Sequence, residues 1–181
     1  MKSSHGQSTT TTLLVALLAL TFGCHAVSTL AQAKGRYYGE KTASIISKID
    51  VPAVTAFQNA WRIAGNGRDR FEALVLLYWK ADGSILARTE GRSAEPNSFT
   101  FGWTSNIIAV VHTHPNSVDP RPAGLDLQVA DKFGVPIFTL TKRGMYVYDP
   151  DTRRTSMVKD GLDWLQSSKW DSDRSVVAQR P

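Results

Sequence analysis

In the run VVHTHPNSVDPRPAGLD, residues 110–126, two histidines stand one residue apart at the end of an apolar stretch, with Pro115 directly behind them and Asp119 and Asp126 downstream. Alternate side chains of an extended strand share a face, so His112 and His114 point one way and Thr113 the other. Two imidazoles so placed can reach one ion. Pro115 stops the strand ladder, a proline-containing loop turns the chain, and a helix beginning near Ala123 carries Asp126 in its first turn, where its carboxylate can project back to the strand end. Two imidazoles and a carboxylate, with a fourth position left open, make the ligand set of a catalytic zinc site. A closed structural site would need four protein ligands, mostly cysteines, and the sole cysteine is Cys24. The plainer reading keeps His112 and His114 as ordinary strand polarity, and Asp119 stands as the alternative oxygen ligand, although an aspartate before proline is also a common turn residue.

The elements that would position these groups are visible in the periodicity. KTASIISKI begins a short helix. Asp50 is an N-cap and Pro52 suits a first turn, after which Val51, Val54, Phe57, Trp61 and Ala64 recur at spacings of three and four, as on the buried face of an amphipathic helix. GNG at 65–67 ends it. FEALVLLYW (71–79) is almost continuously apolar and rich in strand formers, ADGS turns the chain, and ILART returns as the second strand of a hairpin. A polar loop containing Pro96 leads through SFTFGW to NIIAVVHTH, whose β-branched run predicts a buried strand. AGLDLQVADKFG reads as a helix with Leu125, Val129 and Phe133 on one face and Gly134 at its C-terminal cap. VPIFTLT and MYVYD, joined through KRG, form an antiparallel pair, and MVKDGLDWLQSSKW reads as a last helix with Leu162, Trp164 and Leu165 on the core. The order α-β-β-β-α-β-β-α predicts an α/β or α+β domain, a mixed sheet with flanking helices.

The chain's length and its 42% hydrophobic and 20% charged residues suit one globular core and are too little for two sizeable domains. Residues 1–33 are set apart from that core. Lys2 provides a small basic region, Leu13 to Phe22 an apolar stretch, and Ala31-Gln32-Ala33 a signal-peptidase-like site, so this segment reads as a secretory signal and the protein as secreted or periplasmic. The apolar run stops at Gly23, short of the roughly 20 residues a membrane span needs. A lipoprotein acylated at Cys24 is the weaker alternative, because Thr21 and Phe22 depart from the usual signal. Residues 34–70 then form a helical lead-in, 71–170 the domain bearing the metal site, and 171–181 a flexible tail. The net charge of +5 comes from scattered basic residues with no stripe interleaved with aromatics, which argues against nucleic acid as a partner.

The stretch from Phe71 to Pro150 resembles the JAMM (MPN+) metalloprotease family and its RadC-like bacterial relatives. The family's pattern is an upstream glutamate, His-x-His-Pro, and Ser-x-x-Asp after a short loop. His112, His114 and Asp126 match its zinc ligands, and DKFGVPIFTLTKRGMYVYDP resembles its following strand pair. The resemblance implies a JAMM or cytidine-deaminase-like layered domain, a bound Zn2+, and hydrolysis of amide or isopeptide bonds in a peptide, isopeptide or peptidoglycan-like substrate. It implies a glutamate as general base, with Glu72 the candidate at the head of its strand and Glu90 the fallback. There are two departures. The loop between His114 and Asp126 is one residue longer than the common spacing, and Ala123 stands where the family has the serine thought to stabilise the oxyanion. Asn116 and Ser117 are close enough in sequence to replace that serine. A non-catalytic domain of the same fold, binding a protein or cell-wall partner, is the alternative function.

Overall fold

The structure is a computed structural model and describes residues 38–166. The signal-like segment, Cys24 and the tail after Trp170 lie outside the described residues. Six strands form one mixed sheet: β1 (Ala73–Trp79), β2 (Ile85–Arg92), β3 (Ile107–Thr113), β4 (Ile137–Thr141), β5 (Gly144–Asp149) and β6 (Arg154–Asp160), in the order β2-β1-β3-β4-β5-β6. All pairs are antiparallel except β3 with β4, which are parallel and joined through α3 (Leu125–Phe133). Two further helices, α1 (Glu40–Lys48) and α2 (Val51–Ile63), precede the sheet. The architecture is therefore the α/β mixed sheet with flanking helices that the pattern predicts.

Two helix ends are chemically marked in the sequence. Asp50 caps α2 by accepting from the backbone N–H of Ala53 at 3.1 Å, with Pro52 in the first turn, satisfying a donor that the helix itself leaves unpaired. Gly134 ends α3 in the left-handed conformation. The strand period sorts the core into two layers. Val75, Leu77, Val111, Phe138 and Leu140 face Ile45 of α1 and Val54, Phe57 and Trp61 of α2, so residues 40–63 share one core with the sheet. Leu74, Leu76, Val110 and Ile137 face the other way, toward Ala130 of α3 and the loop bearing Phe99, Phe101 and Trp103. No helix among the described residues is long and apolar enough to cross a membrane.

The C-terminal prediction is corrected within the described residues. MVKDGLDWLQ is not a helix: its first residues complete β6, and Asp163–Leu165 form one 3-10 turn. Trp164 and Leu165 are nonetheless buried, and the Trp164 indole N–H donates to the Gly161 carbonyl at 2.8 Å. The expected apolar face of α3 is also divided. Ala130 is its buried residue, whereas Leu125 is 72% exposed.

Candidate metal centre

β3 lies between β1 and β4, and every one of its residues is buried. That position makes its end a rigid mount. His112 sits in register with Leu74 of β1 and Thr139 of β4, and the backbone N–H of His114 donates to the Leu140 carbonyl at 2.9 Å, holding the chain extended just past the strand. Both rings consequently emerge on the α3 face, with their Nε2 atoms 3.0 Å apart. Asp126, in the first turn of α3, places Oδ1 3.4 Å from His112 Nε2 and Oδ2 3.8 Å from His114 Nε2. These three side chains form a group that could hold a metal ion.

Two observations test whether a metal suits them. Atoms on a tetrahedron about 2.0–2.1 Å from a central ion lie about 3.3 Å apart; the two Nε2 atoms are 3.0 Å apart, Asp126 approaches them with different oxygens at 3.4 and 3.8 Å, and one ligand atom from each residue lies within 4.8 Å of the others, a span that a small turn of the carboxylate closes. The second is tautomeric. His114 Nδ1 lies 2.7 Å from the Asp119 carbonyl oxygen, an acceptor that requires the proton on Nδ1, so that in the neutral ring it is Nε2 that carries the lone pair, facing His112 and Asp126. A backbone carbonyl that fixes a ring in this way is the usual outer support of a ligating histidine. The donor set fits.

The loop that supplies this carbonyl is itself pinned. Thr139, fully buried beneath it, donates its hydroxyl to the Pro120 carbonyl at 2.5 Å. On the other side, the Asn116 backbone N–H donates to Gly67 at 2.7 Å and its side-chain amide to Asn66 at 3.2 Å.

Glu72 lies two residues before Leu74, so the β1–β3 register carries it opposite His114 on the same face. Its position is fixed by reciprocal bonds with Ser93, whose hydroxyl accepts from the Glu72 N–H at 3.0 Å and whose N–H donates to the Glu72 carbonyl at 2.7 Å. The Ala73 N–H beside it donates to the Thr113 hydroxyl at 2.9 Å. Glu72, His112, His114 and Asp126 line one cleft of about 410 Å3.

Burial dominates the electrostatics. It pushes the Glu72 carboxyl up to about 7, with His114 pulling it down and Asp126 adding to the rise. Burial likewise holds the His112 ring down at about 4 despite the Asp126 charge. For His114, burial works against the charged ring, but the hydrogen bonds to Asp126 and to the Asp119 carbonyl, with the Glu72 and Asp126 charges, outweigh it and raise the pKa. Burial would raise Asp126; the two histidines and the Ala123 N–H, 3.0 Å from Oδ2, hold it below the usual range instead.

The remaining sequence candidates lie elsewhere. Glu90 is on β2, ion-paired with Arg88, and lines a separate groove. The Asp119 carboxylate is exposed and held by Arg121 Nε at 2.9 Å and Nη2 at 2.6 Å; what it gives the site is its backbone carbonyl. Asn116 is committed to residues 66 and 67, and neither it nor Ser117 lines the cleft. Ala123 does line it, but the N-cap of α3 is Gly124, so position 123 precedes the cap. Asn97, Ser98, Phe99 and Phe101 form a cleft wall that motif reasoning missed. The available signal was the clustering of Phe99, Phe101 and Trp103 at alternate positions of a loop between two strands.

Comparison of the chain with protein-family models, with curated proteins and with solved structures finds no match.

Proposed function

We propose that the chain is a zinc-dependent hydrolase of peptide or isopeptide bonds, of the JAMM type, acting in a secreted or periplasmic setting. The observation that carries the reading is the convergence of His112, His114 and Asp126 in a cleft whose wall also carries the buried carboxyl of Glu72. What zinc supplies when bound by these three residues is Lewis acidity, which polarises a carbonyl and makes water acidic enough to ionise near neutral pH. The protein's own groups supply the rest. Glu72, held near neutrality by burial in the metal-free site, is placed to take a proton from the attacking water and deliver it to the leaving amine as the C–O bond forms and the C–N bond breaks. Asp119 and Thr139, through the carbonyls of the intervening loop, keep the His114 ring in its ligating tautomer.

Ala123 favours a second reading, a non-catalytic domain, with metal or without it, that binds a protein or cell-wall partner. The Ala123 N–H is occupied by Asp126, and a missing oxyanion donor costs about 2.7–4 kcal/mol of transition-state stabilisation. Elemental analysis of protein purified without chelator separates the cases. About one zinc per chain is expected in the wild type, falling to under about a tenth in His112→Ala or Asp126→Ala, because two remaining ligands hold zinc poorly. Glu72→Gln should keep its zinc and lose roughly 100-fold or more in amide turnover. Zinc-free wild type would refute the hydrolase and leave a metal-free binding domain; full zinc with no hydrolysis across peptide and muropeptide substrates would leave a metal-holding one.

A further inference from the structure

The cleft beside the metal centre is apolar to a degree that the chemistry of the centre does not require. Its floor is the sheet face of Leu74, Val110 and Ile137, each at most 3% exposed. Phe99 and Phe101 form one wall, and Trp103, stacked on Phe133 with ring centroids 4.0 Å apart, ties their loop to α3. Val118 and Leu125 line the cleft too. Five large apolar side chains are strongly exposed among the described residues, and these two both line this cleft, with Leu125 at 72% and Val118 at 39%. Leu125 is the residue directly before the candidate ligand Asp126. An exposed leucine at the lip of an apolar cleft gains free energy only when something apolar covers it.

Charge narrows the occupant further. The ionisable residues lining the cleft are Glu72, Asp126 and the two histidines, with no lysine or arginine among them, so away from the metal centre no cationic side chain stands ready to pair with an anionic side chain or a free carboxylate. The volume of about 410 Å3 falls in the range of small-ligand pockets and admits one bulky side chain with the backbone on either side of it.

We propose that this cleft is a specificity pocket that receives a large uncharged apolar side chain, of the leucine or phenylalanine class, next to an internal bond of a peptide substrate. The assignment of that bond as the one cut rests on the hydrolase reading above; the side-chain preference does not. It excludes acidic cell-wall stem peptides as preferred substrates and makes Leu125, Phe99 and Phe101 specificity-determining residues.

The test uses the full chain, zinc-loaded, as the Glu72→Gln variant and again as chelator-treated wild type. Fluorescently labelled, amide-capped peptides Gly-Gly-X-Gly-Gly with X as Phe, Leu, Ala, Asn or Asp are titrated by anisotropy. Phe and Leu peptides are expected to bind at least about tenfold tighter than Ala, the scale of a filled apolar pocket, and in the chelator-treated wild type Asp more weakly than Asn. Leu125→Gln, a substitution at an exposed position, should narrow the Phe-to-Ala ratio, and Phe101→Ser should do the same. Equal affinity for Phe, Ala and Asp peptides would overturn the proposal, as would an unchanged ratio in both variants. Cleavage of the same peptides by zinc-loaded wild type is scored separately. A Phe preference in binding with no cleavage supports the pocket and refutes the hydrolase, whereas cleavage without any preference does the reverse.

Discussion

At the residue scale, Glu72 and His112 are buried ionisable groups with opposite linkage to folding. The Glu72 pKa rises from 4.5 in the unfolded chain to about 7, so between those values the native state binds more protons and stability falls as pH rises. The His112 pKa drops from 6.5 to about 4, so over that window the unfolded state binds more protons and stability increases with pH. In metal-free protein these two slopes oppose each other from pH 4.5 to 6.5. Glu72→Gln removes one of them. Its stability relative to wild type, from urea unfolding in chelator, should therefore grow by about 3 kcal/mol between pH 4.5 and 7.5, the free energy of a shift of this size. A difference that stays constant across that range would mean the carboxyl is not desolvated in the folded state. The residues of this site were largely legible because His-x-His-Pro, a helix-borne aspartate and a strand-leading glutamate are defined by side-chain chemistry. The part played by Asp119 was not, because what matters there is a backbone carbonyl whose direction depends on how the loop is folded.

At the scale of elements, the short turn after α2 does more than end a helix. Gly65–Gly67 forms a 3-10 turn with Asn66 at φ 58° and Gly67 at φ 70°, and the Gly67 carbonyl accepts the Asn116 N–H at the start of the loop that carries Asp119. A Cβ on Gly67 would stand 2.5 Å from the Trp61 ring and 2.8 Å from the Asn116 side-chain oxygen, in a backbone region that L residues rarely adopt. Gly67→Ala is expected to cost about 1–3 kcal/mol of stability in urea unfolding. It should also weaken zinc in a chelator competition, although residue 67 lies outside the ligand set. Loss of stability with zinc affinity intact would show that the turn supports the core alone. GNG was readable in sequence as a helix stop, but its partner lies 49 residues further along the chain, beyond local periodicity. β6 escaped for a different reason. Val158 is its one buried residue, so an edge strand fixed by backbone pairing with β5 shows no apolar alternation to read, whereas the wholly buried β3 announced itself as a continuous β-branched run.

For the molecule as a whole, the candidate ligands are brought together only by the completed sheet. His112 and His114 leave the centre of it, Asp126 comes from the crossover helix between β3 and β4, and Glu72 heads the neighbouring antiparallel strand. In the unfolded chain, Asp126 is separated from the two histidines by a loop whose native turns are set by Thr139 from below and Gly67 from the side. A metal held by all three therefore binds the native state almost exclusively, and its binding free energy appears as folding stability. At free zinc about 100 times the dissociation constant, the gain is about 2.7 kcal/mol, which for a domain of this size raises the melting temperature by on the order of 10 °C. A thermal scan should show this rise on adding zinc to chelator-stripped wild type and its loss on adding chelator. His112→Ala and Asp126→Ala should melt at one temperature in both conditions. Glu72→Gln, which removes a buried carboxyl without removing a ligand, should keep the zinc-dependent rise. If wild type melts at the same temperature with excess zinc and with chelator, the three side chains do not act as a metal site in the folded protein, and the imidazole–imidazole hydrogen bond with its ion pairs to Asp126 serves instead to close the end of β3.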